Sequence, residues 1–332
     1  MGFISIKNTS GIPKYRQIIT SVELALENKL LKKGDQLPSI NNIRNEFSLS
    51  RDTVLLAFNE LKLRGIVESI AGKGYYVKST NVRTKQKIFL LFDELNAFKE
   101  NLYHTFITNL EQDVEVDIYF HHFNIEVFEN LIQNNAGNYN HYIIMPANLE
   151  DAHYSISKLP KDKVVILDQT NPNLNNYTSI YQNFENDIYN SLKEVLSKIS
   201  TYNKLVLVFR DEKQPKGMLN GFLNFCSEFN LNSEVIPRMR DRNVQKGDIY
   251  LVPDDRSLIL AIKKIKSSSF TLGEDIGIIS YNETLLKEIV ADGITTISTD
   301  FNFMGKRLAE IITQKETVKI ENPSSIIIRN SI

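Results

Sequence analysis

Apolar positions near the start of the chain recur at three- and four-residue steps. Tyr15, Ile18, Ile19, Val22, Leu26 and Leu30 form one stripe, which predicts a helix. Pro13 suits its first turn, where a missing N–H costs nothing, and Lys32-Lys33-Gly34 closes it. Ser39 then stands as an N-cap before a short helix with Ile40, Ile43 and Phe47 turned inward. After the link Ser48-Leu49-Ser50, Ser50 caps another helix. Val54, Ala57, Phe58 and Leu61 form its inner face, and Gly65 ends it. Two short helices joined this tightly make a helix-turn-helix unit. Strand-like runs follow at Ile66–Ile70 and Tyr75–Lys78, joined by Ala71-Gly72-Lys73-Gly74. The glycines there permit the positive φ angles of a tight hairpin. The expected head, residues 1–78, is a winged helix-turn-helix. Gly72-Lys73-Gly74 is not a phosphate-binding loop, because the spacing is wrong and no helix follows.

Residues 79–87 are polar and basic and read as a linker. From residue 88 to 332 the pattern changes. Short apolar runs at Ile88–Phe92, Tyr142–Met145, Val164–Leu167, Leu205–Phe209, Ile249–Val252 and Ile276–Ser280 alternate with amphipathic stretches near 99–111, 125–135, 184–199, 217–229, 257–266 and 303–313. Strands alternating with helices give parallel sheets covered on both faces. The number of units suggests two such sheets, and ligands of these folds sit beyond the carboxyl ends of the strands. The expected class is therefore α/β, a winged head on a two-lobed body.

Charge sharpens this division. The chain carries −1 overall. Residues 1–87, however, hold 15 basic and 7 acidic side chains, a balance of +8, which leaves −9 on the rest. A basic head on an acidic body suggests that the head meets a polyanion, although a merely solvated basic face gives the same imbalance. Hydrophobic residues at 42% and charged residues at 24% are ordinary for a globular protein. With no signal-like opening and no apolar run long enough to span a bilayer, the expected location is the cytoplasm, with no membrane partner. The single Cys226 sits in an apolar helical pattern with Phe222, Phe225 and Phe229 and reads as packing.

His104, His121, His122, His141 and His153 lack zinc-ligand spacing, and the adjacent His121 and His122 read as surface histidines. No nucleophile elbow or Walker sequence occurs, and nothing marks Asp254-Asp255 as a catalytic dyad. No enzyme, metal or cofactor is expected.

The head offers DNA-binding chemistry. Arg51 lies in the first turn of the second helix of the pair, where its planar fork can meet guanine O6 and N7. Ser50 opens that helix, and Thr53 can reach a phosphate or a thymine methyl. Lys73 at the hairpin tip can enter the minor groove or touch phosphate, and Ser39 can bond phosphate or simply cap.

Ile12-Pro13-Lys14-Tyr15, Gly34-Asp35-x-Leu37-Pro38-Ser39, Ser50-Arg51-Asp52-Thr53-Val54, Leu61-x-x-x-Gly65-Ile66-Val67 and Gly72-x-Gly74-Tyr75-Tyr76-Val77 resemble the GntR-type winged-helix head. The resemblance covers essentially all of residues 12–78. It implies that the second helix enters the major groove and the hairpin the adjacent minor groove. Many relatives carry arginine where this chain has Asn41 and Leu55. Asn41 can read adenine and Leu55 can pack on a thymine methyl, which suggests a more A·T-leaning operator.

The body resembles the LacI/GalR effector domain, itself similar to periplasmic sugar-binding proteins. The residues that carry this are Leu251-Val252-Pro253-Asp254-Asp255, Leu272–Asn282 and Ile294–Gly305. The combination has the layout of AraR-like arabinose repressors. It implies two lobes linked by strands crossing near 182–187, 298–303 and 315–320, with a small carbohydrate-like effector between them.

Candidate effector ligands are Asp93, Asp168, Asp254, Asn282 and Asp300, each just past a strand end. Carboxylates and amides there accept hydroxyl hydrogen bonds; Asp93 and Asp300 can equally cap helices. Sugar-binding relatives place arginine three residues before the Gly-Phe pair. Here that position is Met218, with Lys216 nearby as a possible substitute. The resulting expectation is a homodimeric regulator, a repressor, on a two-fold symmetric double-stranded operator. Two alternatives stand beside it: a constitutive DNA-binding protein whose body only dimerises, and a solute-binding protein that does not act on DNA.

Overall fold

The computed structural model describes residues 2–7, 11–80, 86–110, 114–314 and 316–332. The head consists of α1 (Lys14–Glu27), α2 (Ile40–Phe47), α3 (Arg51–Leu63) and an antiparallel wing, β1 (Val67–Ile70) with β2 (Gly74–Val77). Ile18, Ile19 and Val22 of α1 meet Val54, Ala57, Phe58 and Leu61 of α3 and Val67 and Val77 of the wing in one apolar core. The predicted first helix is shortened. Its stripe breaks at Lys29, which adopts φ 59°, so Leu30 is left 67% exposed and Leu31 fills the inward place.

The first lobe begins with β3 (Gln86–Phe92), α4 (Ala97–Thr108), β4 (Val114–Phe120), α5 (Ile125–Asn135), β5 (His141–Ile144), α6 (Ala152–Ile156), β6 (Val164–Asp168) and β7 (Thr178–Tyr181). The chain then enters the second lobe as α7 (Phe184–Glu194), α8 (Leu196–Ile199), β8 (Lys204–Val208), α9 (Lys216–Glu228), β9 (Ser233–Ile236), β10 (Asp248–Val252), α10 (Asp255–Lys266), β11 (Gly277–Tyr281), α11 (Leu285–Ile289) and β12 (Thr295–Thr299). It returns to the first lobe with α12 (Phe301–Gln314) and β13 (Lys319–Glu321), and ends in the second with β14 (Ser324–Ile327). Gln86 and Lys87, read as linker, belong to β3; residues 81–85 of that stretch lie outside the described residues.

The sheets run β13-β7-β6-β5-β3-β4 and β14-β12-β11-β10-β8-β9, parallel throughout except for β14. The first five strands of each lobe follow the same doubly wound order. Each lobe therefore has a switch point, between β3 and β5 in the first and between β8 and β10 in the second, where a crevice opens at the carboxyl ends. Both faces of each sheet are covered. Ile88, Leu90 and Phe92 of β3 pack under α4 and α12, whereas Phe89 and Leu91 face α5 and α6. This two-sided burial is why these strands read as continuous apolar runs. In the second lobe Gly221 permits close approach of α9 to α7, since a Cβ there would lie 2.3 Å from Glu185 O. The lobes are joined at 182–183, at 299–301 and at 322–323. The last crossing lies beyond the expected 315–320, because Lys319–Glu321 pairs with β7 before the chain leaves the first lobe. Among the described residues no helix is long and apolar enough to cross a membrane.

Candidate nucleic-acid interface and effector cleft

Ser39 and Ser50 both act as caps: Ser39 Oγ accepts from Asn42 N (3.1 Å) and Ser50 Oγ from Thr53 N (3.1 Å). The Thr53 hydroxyl lies 2.7 Å from Ser50 Oγ, so those two hydroxyls are engaged with each other. Arg51 is exposed and makes no ion pair among the described residues. Asn41 and Lys73 are exposed and Leu55 is half-buried. Asn59 is exposed on α3 two turns beyond Arg51. The wing is braced from behind. Gln36 Nε2 donates to Lys73 O (2.6 Å), Leu37 N to Tyr75 O (2.9 Å), and Tyr75 packs on Phe58 with ring centroids 4.6 Å apart. Lys73 thus projects from an anchored tip.

At the carboxyl ends of the first lobe's strands lies a buried ionic cluster. Asp93, after β3, pairs with Lys99 of α4; both are 4% exposed. Asp93 also accepts from Glu94 N (2.6 Å) but caps no helix, since Asn96 caps α4. Asp168 ends β6 and accepts from the Gln182 side-chain amide. Gln182 Oε1 in turn accepts from Tyr281 OH (3.2 Å) and from the Thr299 hydroxyl. This relay joins both lobes through the first crossing.

Asp168 (φ 73°) and Asn282 (φ 61°) both hold left-handed backbone, a conformation costly for non-glycine residues and concentrated at functional sites. Among the described residues the Asn282 Oδ1 is buried without a partner. His121, read from sequence as a surface histidine, is instead fully buried. Its Nε2 lies 3.0 Å from Met145 O, and among the described residues its Nδ1 has no partner.

The other candidates are placed differently. Asp254 caps α10 through Ser257 N (2.8 Å), and Asp300 caps α12 through Phe303 N (2.8 Å). Lys216 is exposed at the rim, 3.8 Å from Glu150 of the opposite lobe. Met218, at the arginine position of relatives, is buried in the core. The rims touch: Asn148 Nδ2 donates to Gln214 O (2.8 Å), and Lys213 lies 3.7 Å from Glu94. A separate groove of about 1680 Å³ lies between the head and the first lobe, lined by Arg16, Glu23, Lys87, Glu115, Lys163 and Glu316. It adjoins the amino ends of the strands, where the topology creates no ligand crevice. Among the described residues no cluster of His, Cys, Asp and Glu is placed to hold a metal ion.

Burial pushes Asp168 up to about 6 and, with Glu321 nearby, Asp187 up to about 7. The folded protein therefore holds protons that the unfolded chain has already released, and stability falls as pH rises through those values. Burial lowers His121, which opposes this trend on the acid side. The expected result is a contribution to stability that declines from about pH 4, where these carboxyls ionise in the unfolded chain, to about pH 7, and levels off above it. Denaturant titrations across that interval check it, and Asp187→Asn should flatten the decline. A pH profile that Asp187→Asn leaves unaltered contradicts the assignment.

The family model for bacterial regulatory proteins, gntR family, matches residues 14–77. The repressor YtrA of Bacillus subtilis is 32% identical over 99 residues, 30% of this chain and 72% of YtrA. The chain belongs to the GntR family of bacterial regulatory proteins. MngR of Escherichia coli, a mannosyl-D-glycerate transport/metabolism system repressor, is 39% identical over 90 residues, which span 27% of this chain but only 35% of MngR. Solved structures resemble the body of this GntR-family chain. The lactose repressor bound to an anti-inducer superposes with TM-score 0.61 at 15% identity, covering 74% of this chain and 99% of that one. The trehalose repressor of Escherichia coli gives 0.62 at 14%, covering 73% and 100%. At such identities the likeness establishes the fold. The GntR-family chain is thus a DNA-binding transcription regulator with a LacI-like two-lobed body, and its relatives are regulators rather than enzymes.

Proposed function

We propose that the protein is a homodimeric, cytoplasmic repressor of carbohydrate-related genes. Its two winged heads bind a two-fold operator, and a small sugar-like effector held between the lobes releases them. The division is a head of residues 1–78, a linker and an effector-binding body. The observation that carries the reading is the pairing of an exposed, Ser50-capped α3 bearing Arg51 with a second module whose polar strand-end residues converge between two lobes. Arg51 is assigned to guanine, and Asn41, Leu55 and Asn59 to bases within reach. Lys73 takes the minor groove or phosphate. Ser39, Ser50 and Thr53, whose hydroxyls already serve the helix starts, orient the helices against the backbone. Asp93, Asp168 and Asn282 are assigned to the effector, with Asp254 and Asp300 holding the helices that frame it and Lys216 at the rim.

A two-fold operator needs two linked heads. Leu285 and Ile289 on α11 are 80% and 78% exposed, and Ile259 is exposed on α10. Lys287 fastens the two helices together through Asp255 (3.1 Å). This apolar face supports docking of a second copy. The double substitution Leu285→Asp/Ile289→Asp is expected to yield a monomer in sedimentation and to weaken operator binding about tenfold or more, because the second head is no longer tethered. A stable dimer in that variant refutes the interface.

The functional test is operator affinity measured with and without a monosaccharide panel. Ligand-linked release supports the reading, since an effector acts only through different affinities for the two states. Operator binding indifferent to every ligand favours a constitutive binder.

A further inference from the structure

We infer that the start of the head, Gly11 to Arg16, is a latch seated on the first lobe, and that rearrangement of the cleft rim reaches the DNA through it. This rests on the regulator reading given above and adds the route by which the body governs the head.

The receiving surface is the turn between α5 and β5, whose backbone is clamped from beneath. Tyr142 is fully buried on β5; its hydroxyl accepts from Gly137 N (2.7 Å) and donates to Asn135 O (2.9 Å). Gly137 holds φ 81°, a left-handed conformation that favours glycine. A Cβ there would also come within 2.8 Å of Ile12 Cγ2, closer than carbon atoms pack. Ile12 therefore occupies space that only glycine leaves open. In the first turn of α1, Arg16 Nη1 donates to Gly137 O (3.1 Å), and Arg16 Nε donates to Tyr15 OH (2.8 Å), which steadies the fork. Gly11 lies against Lys158, two residues beyond α6.

The latch grips the head without covering its DNA-binding side. It holds the start of α1, and Ile18 and Val22 of α1 pack in one core with α3. The direction of α3 is thereby set, while Arg51 and Lys73 stay exposed. Past the latch, the groove of about 1680 Å³ separates α1 from the lobe. Glu60 and Arg64, which line it, sit at the end of α3 opposite Arg51. A docked head is thus free to bind, with its orientation fixed in advance. In a dimer this sets the separation of the two heads on the operator.

The lobe side of the latch is continuous with the cleft rim. The loop before α6 meets the second lobe, where Asn148 Nδ2 donates to Gln214 O (2.8 Å) and Glu150 faces Lys216 (3.8 Å). From there α6 leads to Lys158 at the head. Its Ala152 and Ile156 share an apolar cluster with Phe128 and Ile132 of α5 and with Ala136, the residue before Gly137. Rim and latch are two ends of one packed unit, and such units shift as bodies rather than deform.

The test is binding of the full chain to the duplex it selects from a random-sequence pool, to a single half-site, and to a series with base pairs inserted stepwise between the halves. Ile12→Ala/Arg16→Ala should bind the selected duplex about tenfold more weakly and lose the preference for one spacing. Its binding to the single half-site should be unchanged, which shows the head to be folded. Ile12→Cys/Gly137→Cys places two Cβ atoms 3.5 Å apart, within disulfide reach, and Cys226 is buried. The oxidised form should keep both operator affinity and spacing preference. Asn148→Ala should shift operator affinity about threefold or more, and should have no effect once Ile12 and Arg16 are already replaced by alanine. Equal binding by the unaltered protein and Ile12→Ala/Arg16→Ala at every spacing overturns the latch and leaves the regulator reading standing. So does failure of the two cysteines to cross-link on oxidation. Tighter operator binding by the alanine pair, or binding lost on oxidation and restored by reduction, makes the docked head the incompetent one and overturns the inference. An Asn148→Ala effect equal in both backgrounds overturns the route from the rim. Selection of no duplex by the unaltered protein refutes the regulator reading itself.

Discussion

Arg51→Ala is expected to weaken binding to the specific operator by roughly 1–3 kcal/mol per half-site, with little change on a scrambled duplex. The side chain is exposed in the first turn of α3. A cation there faces the positive end of the helix dipole and does not help the helix. Removing it should leave folding stability unchanged or slightly raised, so a loss of affinity cannot be blamed on unfolding. Arg51→Lys keeps the charge but not the planar fork, and should therefore retain scrambled-duplex binding while losing discrimination. Fluorescence anisotropy with both duplexes at one salt concentration measures these effects. Equal operator affinity in wild type and Arg51→Ala rejects the base contact.

Lys99→Met should cost about 3–5 kcal/mol of folding stability, because it leaves the Asp93 carboxylate buried without its counterion. The pair is enclosed on both sides, at side-chain exposures of 5% and 6%. It is thus unlike the surface bridges of this protein, such as Lys87 with Glu115, which contribute little. The double substitution Asp93→Asn/Lys99→Met removes both charges and should recover most of the loss. Denaturant unfolding of the wild type, both single variants and the double variant gives the coupling energy directly. Additive effects in that cycle refute a buried pair.

Much of the head was legible because its signals are local. Ser39 and Ser50 precede apolar periodicity, and the glycines of the hairpin require positive φ, at 73° for Gly72 and 111° for Gly74. Of the body's buried strands, β3, β5, β6, β8, β10 and β11 were legible as apolar runs, whereas β7 and β12, rich in Thr and Ser, were not. The strand β4 was not, because Val114–Phe120 lies at a sheet edge and mixes Glu115 and Asp117 with apolar residues. The last crossing was misplaced because three residues pairing with β7 leave no signal in composition.

The cleft divides in the same way. An aspartate after a strand serves equally as ligand or as N-cap, and sequence cannot separate the uses. In the fold Asp254 and Asp300 are caps, whereas Asp93 and Asp168 are buried in the cluster. Lys99 and His121 were missed because a lone lysine in an amphipathic helix, or a histidine beside another, reads as solvated. Their burial arises only when the turn from β3 into α4 brings Lys99 back onto Asp93, and when β4 ends beneath Met145.

The most direct measurement is selection of duplexes from a random-sequence pool by the purified full chain at moderate salt, with recovered sequences compared to the starting pool. The account predicts enrichment of a single two-fold symmetric site, rich in A·T pairs around a guanine in each half, and loss of that enrichment with Arg51→Ala. Recovery of a pool indistinguishable from the input, with and without added monosaccharides, contradicts it.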